Sequence, residues 1–335
     1  MPDLLPLALD NLLSPIILFF ALGFGAAMLR SDLSVPEAFA KAMALYLMLA
    51  IGFKGGVELN KQGLDWTVGV ILLAGAALSF LIPLIAYTLL RIFTRLGQAD
   101  AAAVAAHYGS ISVVTFVAGS EFLTLMGIGF EGYMVAVMAI METPAIVTGI
   151  WLARRNLNGA GGQAPRRSRP GLLDRDLMRE IFLNGSVVIL IGAFAIGWIT
   201  GPKGLDAIAP FVVAPFKGVL CLFLLDMGLV AATRLRGASE LTWRLVLFGL
   251  AMPVIGASLG LATGWALSLG AGETALLALL AGSASYIAVP ASMRLAVPEA
   301  SPGIYLTLSL AITFPFNLTL GIPLYFSIAA AISSP

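Results

Sequence analysis

The sequence predicts an all-α integral membrane protein: ten transmembrane helices as two inverted five-helix repeats, with the fourth and ninth helices broken at mid-membrane. Three observations predict it. Hydrophobic residues fill 59% of the 335 positions and charged residues only 11%, whereas a soluble domain is about a quarter charged. Apolar runs long enough to cross a bilayer recur along the whole chain. Three short stretches of the first half also return, in order, in the second.

A helix needs roughly 20 apolar residues to cross the hydrocarbon core. The candidate spans are 11–29, 38–56, 66–90, 100–123, 131–152, 180–200, 208–231, 241–268, 272–295 and 302–331. Strands are not expected, because the runs are long and their Ala, Leu and Gly content suits helices packed through small residues.

The charges orient these spans. With the N-terminus outside, every Arg and Lys41 fall on the inner side, and only Lys54, Lys61, Lys203 and Lys217 fall outside. The excess of positive charge on inner loops then places both termini outside a plasma (inner) membrane. An even number of spans fits this tally. The N-terminal stretch carries no Lys or Arg before Arg30, so a cleaved signal peptide is not expected. Residues 153–179, rich in Arg, Gly and Pro, read as a cytoplasmic loop joining a first repeat (1–152) to a second (180–335). Such a loop fixes topology, and it could also dock a soluble regulator or anionic lipid.

The echoes lie at nearly constant offset. Ala38 to Leu59 resembles Ala214 to Leu235. Gly109-Ser110-x-Ser112 matches Gly282-Ser283-Ala284-Ser285. Met141 to Ile150 resembles Ile312 to Ile322, with Pro144 opposite Pro315. Five spans is an odd number, so the second half enters the membrane upside down, as in many secondary transporters.

Gly109 and Gly282 each interrupt a span near its middle. Gly costs roughly 1 kcal/mol against Ala in a helix, and Ser is a favoured N-cap. The two stretches therefore read as breaks where one half-helix stops and another begins. A half-helix N-terminus offers unpaired N–H groups and about half a positive charge, so two facing each other form an anion site without any Arg. The candidate substrate residues are Gly109, Ser110, Ser112, Thr115, Gly282, Ser283, Ala284 and Ser285. Close helix packing is the alternative explanation for the small residues. His107, the single histidine, is read as structural.

Intramembrane carboxylates are costly and mark function by default. Glu142 lies mid-span just before Pro144, which frees a backbone carbonyl one turn earlier. Asn317 lies in the matching part of the last span, and Asp226 is a third candidate. With Thr143, these form the candidate sodium set. Inward movement of one negative charge against 100 mV costs about 2.3 kcal/mol, so anion uptake gains from a co-transported cation. Lys54 and Arg294 lie near span ends and read as topological.

An enzyme is not expected. The sequence has no HExxH or GxSxG motif, and with one His and one Cys it offers no transition-metal or thiol site. No cofactor and no nucleic-acid partner are expected.

The stretch Gly282 to Phe326, together with "GFKGGVEL" and "AHYGSISVVTF", resembles the SbtA-type sodium-dependent bicarbonate transporters over essentially the whole chain. The resemblance implies bicarbonate uptake driven by sodium, a ten-helix two-domain transporter, a homotrimer, and the anion at the crossing of the two broken helices. Cyanobacterial members of that family are inhibited by a PII-like cytoplasmic protein. Two alternatives keep the fold: another small anion or carboxylate as cargo, and proton coupling through Glu142. A channel is a third reading.

Overall fold

The computed structural model describes residues 4–63, 65–155, 175–183, 185–238 and 240–333. Among these, eight helices are long and apolar enough to cross a membrane. They are α3 (Glu37–Gln62), α4 (Trp66–Phe93), the broken span Gln98–Leu125, the span Tyr133–Arg154, α10 (Gly185–Val212), α11 (Phe216–Arg236), α12 (Trp243–Ala266) and α15 (Pro302–Ile332). The helices α1 (Leu4–Leu12) and α2 (Pro15–Met28) meet at a 59° bend and make a ninth if they count as one span. Ser14 sets the bend: its Oγ accepts the Ile17 N–H and caps α2, with Pro15 in the first turn. The short helix α9 (Arg175–Phe182) follows the expected Arg-rich cytoplasmic loop, of which residues 156–174 lie outside the described residues.

The helices sort into two bundles that cut across the sequence halves. In one, α3 packs along α10 and α2 along α11. Glycine lets their backbones touch: a Cβ on Gly56 would overlap the Phe194 carbonyl of α10, and one on Gly197 would overlap the Phe53 carbonyl of α3. In lipid, where apolar burial between helices drives little, such close backbone approach supplies the packing energy. The other bundle holds α4, α5 (Gln98–Gly109), α6 (Val113–Leu125), α8 (Glu142–Arg154), α12, α13 (Ala271–Ala281) and α15. Between them, α7 (Tyr133–Ile140) touches both α3 and α4.

The broken span Gln98–Leu125 has no lipid face. Its most apolar window is 100% buried, against 28% for α10. This explains its run of alanines, since Ala101 to Ala106 are all at 0% exposure with neighbouring helices against every side.

The later spans differ from the sequence expectation in their bounds and their winding. The sequence predicts a sixth span at 180–200, but α10 continues to Val212 beyond a kink at Gly201, which has φ 58° and ψ −153°. Only Gly adopts that conformation without strain, and Pro202 follows it. The seventh span accordingly starts late, at Phe216 rather than 208. The last span is not uniform α-helix. Thr307–Thr313 and Asn317–Gly321 are π-helical, a wider winding found often at functional sites.

Candidate functional site

Both Gly-Ser stretches are breaks in their helices. α5 ends at Gly109, and α6 restarts at Val113 with Ser112 as its N-cap; Ser112 Oγ accepts the N–H of Thr115 at 3.2 Å. The second break is longer. α13 ends at Ala281 and α14 (Val289–Ala296) starts after seven intervening residues, so Ser283 and Ser285 lie inside the break rather than capping a helix. The second half-helix is also poorer in donors, because Pro290 in its first turn has no N–H.

The glycines have a packing reason. A Cβ on Gly109 would overlap the Pro83 ring of α4, and one on Gly282 would sit 2.6 Å from the Pro253 carbonyl oxygen of α12. A proline of a neighbouring span thus presses on each break. Two further tethers lie near these contacts. Ser79 of α4 donates to the Met141 carbonyl at 2.6 Å and accepts the Ala145 N–H, stitching the junction of α7 and α8. Thr313 of α15 donates to the Gly249 carbonyl of α12 at 2.7 Å and is bonded by the Tyr108 hydroxyl.

The two breaks meet. Ser112 N–H donates to Ser283 Oγ at 2.9 Å, and Ser285 N–H donates to the His107 carbonyl at 2.8 Å. Helix ends leave carbonyls and N–H groups without intrahelical partners, and here each break satisfies groups freed by the other. Ser283 is fully used, since its hydroxyl also donates to the Leu280 carbonyl. Asn317 braces the second break: its amide donates to the Gly282 carbonyl at 2.8 Å, and its oxygen accepts from the Tyr325 hydroxyl.

A cavity of about 10 Å³ remains beside the crossing, the room of roughly one water molecule. Ser112, Val113, Glu142, Ser285, Tyr286 and Ala288 are among its lining residues. Glu142 is 2% exposed, and its Oε2 has no hydrogen-bond partner among the described residues. Ser110 Oγ, in the first break, is likewise buried without one. A buried carboxylate in an apolar surround needs a proton or a cation beside it, and a hard cation takes oxygen ligands of this kind.

The remaining candidates take other places. Asp226 lies in a vestibule of about 710 Å³, whose lining includes Arg30, Thr233, Arg234, Arg236, Glu240 and Thr307. Thr143 is half-buried beside Glu142 in the chain, and neither cavity includes it. Thr115 Oγ1 donates to Ser112 Oγ at 2.9 Å, within its own half-helix. Ala284 is buried within the second break. The His107 ring stacks on Tyr305 with centroids 4.4 Å apart, and its Nδ1 donates to the Ala103 carbonyl. Sequence reasoning missed Tyr286 and Ser79. Tyr286 directly follows the second Gly-Ser stretch, but nothing in its residue type marks it as facing the cavity. Ser79 sits in an otherwise apolar span, where a lone hydroxyl was the available signal.

A model of the Na+-dependent bicarbonate transporter superfamily matches residues 15–330. The chain belongs to this superfamily. Its match takes in both breaks, Glu142, Asp226 and the whole of α15 up to Ala330. Among curated proteins, none matches the chain. A superfamily of sodium-dependent transporters agrees with a multi-pass helical protein that has an unpartnered buried carboxylate beside paired helix breaks.

Proposed function

We propose that this protein is a secondary active symporter that imports bicarbonate together with sodium. The observation that carries the reading is the cavity at the crossing: Glu142 Oε2 is buried and unpartnered beside Ser112, Ser285 and Tyr286. Glu142 is the sodium ligand of this reading. The cavity has room for about one water-sized particle, which suits a sodium ion. The three-oxygen anion needs more space, so in this conformation the crossing is closed around the cation site.

The anion occupies the crossing when the bundles part. Its donors are the Ser110 and Ser112 hydroxyls and the N–H groups at the start of α6, which have no intrahelical acceptor. Ser283, Ala284 and Ser285 provide the opposing wall. The vestibule between α2, α11 and α12, lined by Arg30, Arg234 and Arg236, is the cytoplasmic exit when both termini lie outside. The paired proline contacts at Gly109 and Gly282 support two inverted five-helix repeats, and joining α13 to α14 across their break completes ten spans. Asn317 serves as a brace of the second break, and Asp226 lies on the exit path. A homotrimer and a PII-like regulator belong to the same reading by family resemblance.

Radiolabelled bicarbonate uptake into proteoliposomes tests this, with an inward sodium gradient set against an equal choline gradient and carbonic anhydrase controls. Saturable uptake with sodium alone is the expected result. Equal uptake in both salts sinks the sodium–bicarbonate assignment. Uptake that follows a proton gradient instead assigns Glu142 to proton coupling.

A further inference from the structure

On the side of the membrane opposite the Arg-lined vestibule, α6 and the other bundle meet through charge. Glu121 lies in the third turn of α6, about 13 Å along the helix axis from Ser112 at 1.5 Å per residue. It is 8% exposed, and its Oε2 lies 3.0 Å from Lys217 Nζ at the start of α11. Lys54 of α3 is within electrostatic reach of both groups. Its ammonium sits 3.9 Å from the centre of the Phe216 ring, the residue just before Lys217. Lys217 of one bundle thus pairs with a carboxylate of the other, and Lys54 of the same bundle is held over Phe216 within the field of that pair.

This arrangement exceeds what a simple ion pair needs. One carboxylate neutralises one ammonium, and the second is held by an aromatic face and left with a positive charge. Both lysines lie on α3 and α11, which pack together, whereas Glu121 rides on α6, which packs against α13 and α15. A motion that opens the crossing toward this side carries Glu121 away from the lysines and leaves two cations facing solvent.

From this geometry we infer that Lys54 and Lys217 form an outer docking site for small monovalent carboxylate-type anions, which the Glu121 carboxylate fills while the crossing is closed on that side. The inference rests on the anion-transport reading, and it adds a site separate from the crossing. A carboxylate and bicarbonate present the same planar O–C–O group with one negative charge, so the Glu121 side chain stands in for the incoming ligand. Its return after the anion has moved inward discourages backflow.

The test is protection from acetylation by an amine-reactive reagent, read by peptide mass spectrometry on the purified full-length protein. Formate and bicarbonate are the probes, chloride at equal ionic strength is the control, and Lys203 is the reference lysine. The expected result is that formate and bicarbonate slow acetylation of Lys54 and Lys217 by about threefold or more relative to chloride, with Lys203 unchanged. Glu121→Gln should speed acetylation of both lysines and lower the half-protecting formate concentration, because the internal competitor is gone. Lys54→Gln should abolish protection at Lys217. If Glu121→Gln speeds acetylation but no anion protects, the cluster is only a latch and the proposal falls. Equal protection at Lys203 also overturns it. Sodium-driven uptake in the wild type without protection removes the outer site alone. Protection without sodium-driven uptake removes the transport reading alone.

Discussion

The backbone N–H of Ser112 donates to the hydroxyl of Ser283 at 2.9 Å, across 171 positions of sequence. The bond joins the two helix breaks at their crossing. It also places the two Gly-Ser stretches in opposed roles: one supplies a helix N-cap, and the other supplies the acceptor for that cap's own N–H. Ser283 is therefore a structural partner first, and with its hydroxyl donating to the Leu280 carbonyl it has no free donor for a ligand here.

Removal of that hydroxyl leaves a buried donor unpaired. Ser283→Ala should destabilise the protein by about 1–3 kcal/mol, read as a fall in Tm by thermal unfolding in detergent. Ser283→Leu should abolish uptake, since Ser283 is 1% exposed and has no room for four carbons. Normal transport by Ser283→Leu would place the substrate path elsewhere.

Glu142 and Asp226 separate two sodium assignments. Glu142→Gln should raise the sodium KM roughly tenfold or more, the equivalent of about 1.4 kcal/mol, because the amide loses the charge that balances the cation. Asp226→Asn, in the vestibule, should leave the sodium KM within about twofold. The reverse pattern would move the cation site from the crossing to the vestibule. Sodium titrations of uptake at fixed bicarbonate measure both.

The break glycines are held by neighbouring prolines. Gly109→Ala pushes a methyl group into the Pro83 ring, and Gly282→Ala pushes one onto the Pro253 carbonyl. Overpacking of this kind costs about 1–3 kcal/mol. Each variant should lower Tm and slow uptake, and Pro83→Ala should partly rescue Gly109→Ala by making room. If Pro83→Ala adds to the loss instead, the contact is not what requires glycine there.

Outside the spans, Glu131 follows α6. Burial pushes its carboxyl above the ordinary range, and the charges of Glu273 and Glu58 push it the same way. A carboxyl whose pKa is raised by folding favours the folded state below its unfolded pKa, and that contribution is lost as pH rises through the folded value. Glu131→Gln should therefore raise Tm at about pH 8 and leave it nearly unchanged at about pH 4. Thermal unfolding at the two pH values decides it, and an equal shift at both would assign the effect to something other than charge. The Glu131 N–H that donates to Glu273 at 2.9 Å is kept in the variant.

The all-helical membrane character, the two breaks and the suspicion attached to Glu142 were all legible in the sequence. Each depends on local chemistry: apolar length, the cost of Gly and Ser inside a span, and the cost of a carboxylate in lipid. Family membership, carried by the match over residues 15–330, agrees with the resemblance read from Gly282 to Phe326. Tertiary structure alone decided which partner each freed backbone group would take. Nothing local pairs Ser112 with Ser283, or sets Tyr286 beside Glu142, because these contacts join residues far apart in the chain. The same holds for the sorting into bundles, where α3 finds α10 and α2 finds α11 through glycine contacts that need both surfaces at once. It holds also for Lys54 and Lys217, which the sequence marks only as charges on the outer side. The Lys217–Glu121 pair and the place of Lys54 near it depend on how α3, α6 and α11 pack, and that packing is set by steric fit between helices rather than by the residues of any one of them.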